Sequence, residues 1–342
     1  MRDPLWLVAA AVALVATAAS AAPRAPADYV YRGSIDLGAP GQWDYSSVDS
    51  QHARLYTGHA DKITVVDLRA GKVAGEVAGL DEAHGAVAAP EFGRGFATSG
   101  GDGAVRVFDL ATLKVLKIIP VGKDADSIIY DPGTKTVLVT IGDGKQLAIV
   151  DAASAGLART VDLPGGPEFL AADGRGKVFV NLASTSQLAR VDIASGKLEA
   201  VWPLAGCKSP HGLALDRRTN RLFAGCSNAV VDVVDAASGK TLATVPAGPY
   251  NDAVVVDEGR RLVFCPNGDG TLTVIGERPG DRYPVVRTLP TFFGARSMAI
   301  DSRTGTLYVV YGDMRIKGSE GGFRNLRFGW DGAKVAIFQP ND

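Results

Sequence analysis

Tryptophan, histidine, cysteine and methionine are all scarce in this chain, at four, four, three and three residues among 342. The three cysteines make no Cys-x-x-Cys pair, so nothing in their spacing marks a zinc site. Neither sign of charge is in excess: 36 basic residues face 37 acidic ones, for a formal charge of −1. That balance argues against a nucleic-acid backbone as partner, and there is no acidic tail. The nucleophile elbow, the phosphate loop, the dinucleotide fingerprint and the zinc-protease helix are all missing. Beyond residue 19 no apolar run is long enough to span a bilayer, which takes about 20 residues. What is abundant is glycine, at 41 residues, which suits many short strands joined by tight turns.

The first residues differ from the rest. Arg2 precedes an apolar run from Leu5 to Ala19, and Ala19-Ser20-Ala21 fits a small-x-small cleavage site. Residues 1–21 therefore read as a signal peptide, with Ala22 as the mature N-terminus. An uncleaved anchor is the alternative. Residues 22–28 read as a short disordered leader, and 29–342 as one repeat domain. The expected location is the periplasm, with no membrane span after cleavage.

The repeat emerges from aspartate spacing. Apolar strands end at Asp49, Asp131, Asp173, Asp216, Asp257 and Asp301, with gaps of 42, 43, 41 and 44 after Asp131. The gap of 82 between Asp49 and Asp131 holds one more unit, His84 to Ala89, where the aspartate is missing. A second series, Asp67, Asp109, Asp151, Asp192 and Asp235, recurs at 42, 42, 41 and 43. Gly-Lys turns such as Gly71-Lys72, Gly196-Lys197 and Gly239-Lys240 follow several of these. Asp accepts turn amides and Gly takes positive φ, so both series are read as turn-fixing. Four short antiparallel strands at this period predict an all-β, seven-bladed β-propeller. The seventh unit lacks a fourth strand after Val335–Phe338. Tyr29 to Leu37 has strand character and is predicted to close the ring.

Units such as Asp216, Arg221-Leu222-Phe223-Ala224, Val231 to Asp235 and Ser238-Gly239-Lys240 resemble the YVTN-repeat β-propellers, the group that includes the YncE-like periplasmic proteins. The resemblance covers residues 29 to 342. It implies fold and export and says little of chemistry, since such proteins are mostly binding or surface proteins. The Trp-Asp repeat signature is absent, as are the regular Trp motifs of eight-bladed quinoprotein dehydrogenases, which argues against a quinone cofactor.

Five residues before each marker aspartate stands Asp44, Asp126, Glu168, His211, Asp252 or Arg296, and His84 takes the place in the second unit. All seven are ionisable, where composition alone would put about one or two there. In a propeller this position begins the innermost strand, so the seven side chains are predicted to converge at the channel mouth as a ligand-binding ring. Clustered carboxylates call for a cation, shared protons or a polar ligand. Asp44, Glu168 and Asp252 are the candidate metal ligands. Calcium or magnesium would suit the carboxylates and zinc the imidazoles. The alternative is a hydrated funnel in which Arg296 pairs with neighbouring aspartates.

On the same face, Tyr311 to Asp331 reads as a long loop. Between Met314 and Trp330 it carries Arg315, Lys317, Arg324 and Arg327 against Glu320, with Phe323, Phe328 and Trp330. A basic, aromatic flap of this kind would suit an anionic ligand bridged to a cation, or else be a disordered or packing insertion. In an oxidising compartment Cys207–Cys226 is the preferred disulfide, since both lie on the mouth face of one blade; Cys226–Cys265 is the rival. His59 is read as an exposed loop residue.

The expected function is a periplasmic, monomeric binding or interaction propeller, taking a small molecule or protein at the mouth. The alternative is a metal-dependent hydrolase of gluconolactonase-like type, because His211-Gly212-Leu213-Ala214-Leu215-Asp216 is similar to a strand in such enzymes. His84 or His211 would then be the catalytic base. The Asn ligands of that family are absent from the column.

Overall fold

A computed structural model describes residues 28–341, apart from Gly41 and 320–325. The predicted signal peptide lies outside the described residues. Seven four-stranded antiparallel sheets form the blades of a propeller. In six of them the strands run in chain order from the innermost outward. The seventh is composite. Ser297–Asp301, Thr306–Ser319 and Leu326–Asn341 are followed outward by Asp28–Gly38, from the other end of the chain. Tyr29 pairs with Pro340 and Ile35 with Val335, so the predicted closing strand forms, and it starts already at Asp28.

The marker aspartates act as turn acceptors. Asp49 Oδ1 accepts the amides of Gln51 and His52, and Asp216 Oδ1 those of Arg218 and Thr219. In the second series Asp67 Oδ1 takes the amides of Arg69 and Ala70. Where blade two lacks its aspartate, a single 3-10 turn, Pro90–Phe92, performs the reversal, and the amide of Gly93 bonds back to Pro90 O. Between blades, alternate side chains of facing sheets interlock. Leu55 and Val66 of the first blade pack with Tyr308, Val310 and Val335 of the seventh, and Ile35 of the closing strand joins them. Each such aliphatic side chain contributes about 1.5–3 kcal/mol when fully buried.

Neighbouring blades approach closely enough beside the channel that some positions must lack a Cβ. A Cβ on Gly212 would stand 2.5 Å from the backbone of Ala253, on the next blade. One on Gly58 would stand 2.1 Å from His84 O.

Two corrections concern the mouth face. Tyr311 to Asp331 is not a loop over its described part: it continues two strands into a long hairpin, with Met314 opposite Trp330. The apolar and polar residues there alternate well enough to pair, which loop length alone concealed. His59 is fully buried, not exposed. Its Nδ1 meets Thr64 Oγ1 at 2.8 Å and its Nε2 meets Pro40 O at 2.5 Å, which pins the segment leading into the first blade.

Cys207 and Cys226 are bonded to each other, and Cys265 is a buried free thiol that burial pushes up to about 12. Mass mapping of non-reduced peptides is expected to return the 207–226 bridge. Cys265 should resist alkylation until the protein is unfolded. Labelling of Cys265 in the native state, or three free thiols, would contradict this arrangement.

Opposite the mouth, Asp216 and Glu277 are buried together between blades five and six. Burial, then the Asp216 carboxyl beside it, raises Glu277 to about 8, while Thr219 Oγ1 donates to its Oε2 at 3.0 Å. Its ordinary value is 4.5, so the folded state prefers the protonated acid. That preference is fully present below the unfolded value and is lost as pH rises through about 8. Glu277→Gln keeps a donor without the charge. It should melt like the wild type near about pH 5 and higher than the wild type near about pH 9, by about 1–2 °C per kcal/mol relieved. Parallel melting curves across that range would refute the raised Glu277 carboxyl.

Candidate functional site

The seven ionisable residues do sit at corresponding places around the channel. His84, Asp126, Glu168 and His211 are each the second residue of an innermost strand, in Ala83–Ala89, Ala125–Asp131, Pro167–Ala172 and Pro210–Asp216. Arg296 immediately precedes Ser297–Asp301, and Asp44 and Asp252 stand two and three residues ahead of Ser46–Asp49 and Val255–Asp257. Hydrogen bonds between successive blades hold these starts level. Ser297 Oγ donates to Asp44 O at 3.1 Å, Ser127 Oγ to Glu168 O at 2.8 Å, and Asn181 Nδ2 to His211 O at 2.9 Å.

The ring divides into two groups, each organised by a cation. In the first, His84 Nδ1 donates to Asp44 Oδ2 at 2.6 Å and lies 3.4 Å from Asp126 Oδ1. In the second, His211 Nδ1 stands 3.4 Å from Glu168 Oε2 and 3.7 Å from Asp252 Oδ1, and the Arg296 Nε contacts Asp252 Oδ2. Ser209 Oγ touches the other nitrogen of His211 at 3.3 Å.

The charge states follow from this pairing. Burial opposes protonation of His84, but the Asp44 hydrogen bond and the charges of Asp44 and Asp126 overcome it and lift the imidazole to about 9. Asp126 is held well above the usual carboxylate range, by burial first and then by Asp44, with His84 pulling the other way. The Glu168 hydrogen bond raises His211 against its burial. Burial raises Asp252, against the pull of Arg296 and His211. Near neutral pH His84 is therefore a proton donor rather than a base.

Asp44, Glu168 and Asp252 are not gathered around one point. Among the described residues, the trio whose ligand atoms all lie within 4.8 Å of one another is Asp44, His84 and Asp126. Two carboxylates and an imidazole form a mixed donor set that fits zinc better than calcium. Binding would require His84 to release its proton.

Sequence reasoning missed the floor of the site. Directly after the column stand Tyr45, Gly85, Ser127, Phe169, Gly212, Ala253 and Ser297: two rings among small residues. Tyr45 and Phe169 meet across the channel at 5.1 Å between centroids, and the Tyr45 hydroxyl reaches Glu168 Oε2 at 3.4 Å. Burial and the surrounding carboxylates raise that phenol, which stays neutral and donates. The large-and-small pattern was readable in the repeat register.

Above this floor a cavity of about 610 Å3 opens to one side of the mouth, against blades six, seven, one and two. Trp43, Tyr250, Phe293 and Trp330 wall it, and Asp44, His84 and Arg296 lie along its edge. Trp43 and Trp330 meet edge to face at 5.2 Å, and Phe293 lies 6.4 Å from Trp330. Of the hairpin residues expected at a flap, Trp330 reaches the cavity. Arg315 pairs with Asp331 at 2.7 Å, and Phe323 and Arg324 lie outside the described residues.

The fold is similar to that of a chain of hydrazine synthase from Kuenenia stuttgartiensis, with a TM-score of 0.70, covering 80% of this chain and 94% of that one at 16% sequence identity. At that identity the likeness speaks for the propeller fold alone. No protein-family profile and no curated protein matches the chain.

Replacing Asp126 by Asn removes a carboxylate that repels Asp44 and Glu168. In chelator it should leave the melting temperature unchanged or slightly raised. Asp44→Asn removes the closest partner of His84⁺ and should lower it. Thermal melts in chelator and in calcium, magnesium or zinc read both effects. A metal-induced rise that vanishes in Asp126→Asn places a cation on the trio. If no metal moves the wild type, the ring is internally paired.

Proposed function

We propose that this chain is an exported, monomeric binding propeller of the YVTN-repeat kind, which takes a small molecule or a protein at the mouth of its channel. The observation that carries this reading is the mouth cavity with exposed aromatic walls. Tyr250 is 72% exposed and Phe293 59%, at the rim of a cavity of about 610 Å3. Water-facing rings beside a concave surface are costly to leave uncovered and are effective anchors when covered. The size suits a small ligand or the tip of a protein segment. The periplasmic location rests on the Leu5–Ala19 run with its cleavage pattern, and the Cys207–Cys226 bond is in keeping with an oxidising compartment.

The metal-dependent hydrolase is the second reading, favoured by the Asp44, His84 and Asp126 trio. There the cation would polarise a carbonyl, and His84 would be a ligand and not the base. His211 would remain as the base, and Glu168 holds it towards protonation, which weakens that role near neutrality.

A thermal-shift panel of carboxylates, amines and sugars separates these readings when it is run on the wild type and on Tyr250→Ala/Phe293→Ala. The double variant replaces exposed side chains and should fold normally. Stabilisation of the wild type that the variant loses supports binding at the mouth. Stabilisation that persists in the variant locates binding elsewhere and defeats the reading. Metal-dependent turnover of lactones or esters would favour the enzyme. N-terminal sequencing of the exported protein should start at Ala22.

A further inference from the structure

Arg296 differs from the other ring residues. The two imidazoles are each held between carboxylates, whereas Arg296 has, among the described residues, one acidic partner, Asp252, which meets its Nε. The guanidinium carries five N–H donors in a plane and keeps its charge at every physiological pH. Its side chain is 51% exposed and borders the cavity, so donors remain for a ligand. It is also fixed from both ends. Its carbonyl accepts the amide of Asp252 at 3.1 Å, and the Asp252 carboxylate braces the head group. A cation held in place loses little freedom when an anion arrives.

The carboxylate beside it is already committed. Asp44 Oδ2 accepts from His84 at 2.6 Å, so an incoming ammonium would have to compete with an imidazolium and tolerate Arg296 nearby. A neutral carbonyl could accept from the guanidinium but would leave its charge without a counter-charge and forgo the two-point match. The remaining walls are flat and apolar: Trp43 and Trp330 edge to face, with Phe293 and Tyr250 at the rim.

We propose that the mouth cavity binds an organic acid, a carboxylate borne on a flat aromatic body, with Arg296 receiving the carboxylate and Trp330, Phe293 and Tyr250 enclosing the ring system. This rests on the reading of the mouth as a binding site and names the ligand class. The carboxylate and guanidinium match as a two-point fork. The ring system gains by covering aromatic surface that is otherwise wet.

Four probes test it by calorimetry on the mature chain. Indole-3-acetate carries ring and charge, indole-3-acetamide the ring alone, tryptamine the ring with the opposite charge, and acetate the charge without the ring. Indole-3-acetate should bind at least about tenfold more tightly than the amide or the amine, and acetate should not bind measurably. Arg296→Gln should erase the preference of acid over amide. Arg296→Lys, which keeps the charge and loses the fork, should restore part of it. Phe293→Ala should weaken acid and amide alike. Circular dichroism melts establish that each variant folds.

Tighter binding of tryptamine, or an acid preference that survives Arg296→Gln, overturns the inference. If all three ring compounds bind equally and depend on Phe293, the ligand class is wrong and the mouth reading stands. If none binds, the organic-acid inference falls, and the double variant in the ligand panel decides the mouth reading separately.

Discussion

Closure of the ring is the constraint on which the rest of the structure depends. The strand Asp28–Gly38 pairs with Leu326–Asn341, so the seventh blade is made from both ends of the described chain. Without that pairing the seventh sheet would present a bare edge, and the apolar surface shared by blades seven and one would open to water. With it, seven innermost strands start at nearly the same height around one axis. The side chains that begin those strands then face each other by geometry, whatever their chemistry. A ring of four carboxylates, two imidazoles and a guanidinium is a consequence of closure plus the residue type at one position of the repeat.

Seven converging ionisable groups would be untenable if they acted as a uniform ring. Two cation-centred groups resolve the difficulty. His84 between Asp44 and Asp126, and His211 with Arg296 around Glu168 and Asp252, place each buried acid beside a positive partner. Desolvation still leaves its mark on Asp126 and Asp252, both raised by burial. The partners also differ in kind. Both acids of the first group face His84 Nδ1 and leave its buried Nε2 without a hydrogen-bond partner among the described residues, whereas the guanidinium of Arg296 is half exposed at the cavity. The asymmetry of the site therefore comes from where its cations can still donate: into packed protein at His84, into the cavity at Arg296.

The fold was legible because its determinants are local and repeated. Asp216, Asp235 and Gly239 can be read one unit at a time, since an aspartate that accepts turn amides makes the same turn wherever it recurs. The seven column residues were legible for the same reason. Which of them would touch was not, because pairing depends on rotamers across the channel. Carboxylate chemistry alone singles out Asp44, Glu168 and Asp252 as a metal set, and the geometry groups Asp44 with His84 and Asp126 instead. His59 misled because a lone polar residue at a strand end resembles a surface residue; its burial under Pro40 involves a segment 19 residues earlier. Trp43, Tyr250 and Phe293 are not legible in the sequence because each stands in a connection between blades, where the repeat register gives no alignment.

That last failure bears on how such a scaffold acquires specificity. Residues inside the repeat are constrained to pack and to turn, so they vary little in role from blade to blade. The connections that lead into each innermost strand carry no such duty, and four of them line the cavity together with Trp330 of the long hairpin. Tyr45 and Phe169 close the channel below, so a ligand at the mouth meets a floor instead of a tunnel. Because blades six, seven and one supply the rings and the opposite side of the mouth does not, the site is directional on a fold that is nearly symmetric. A ligand with one charged end and one flat end can satisfy both features at once, and a symmetric ion at the centre of the ring would satisfy neither.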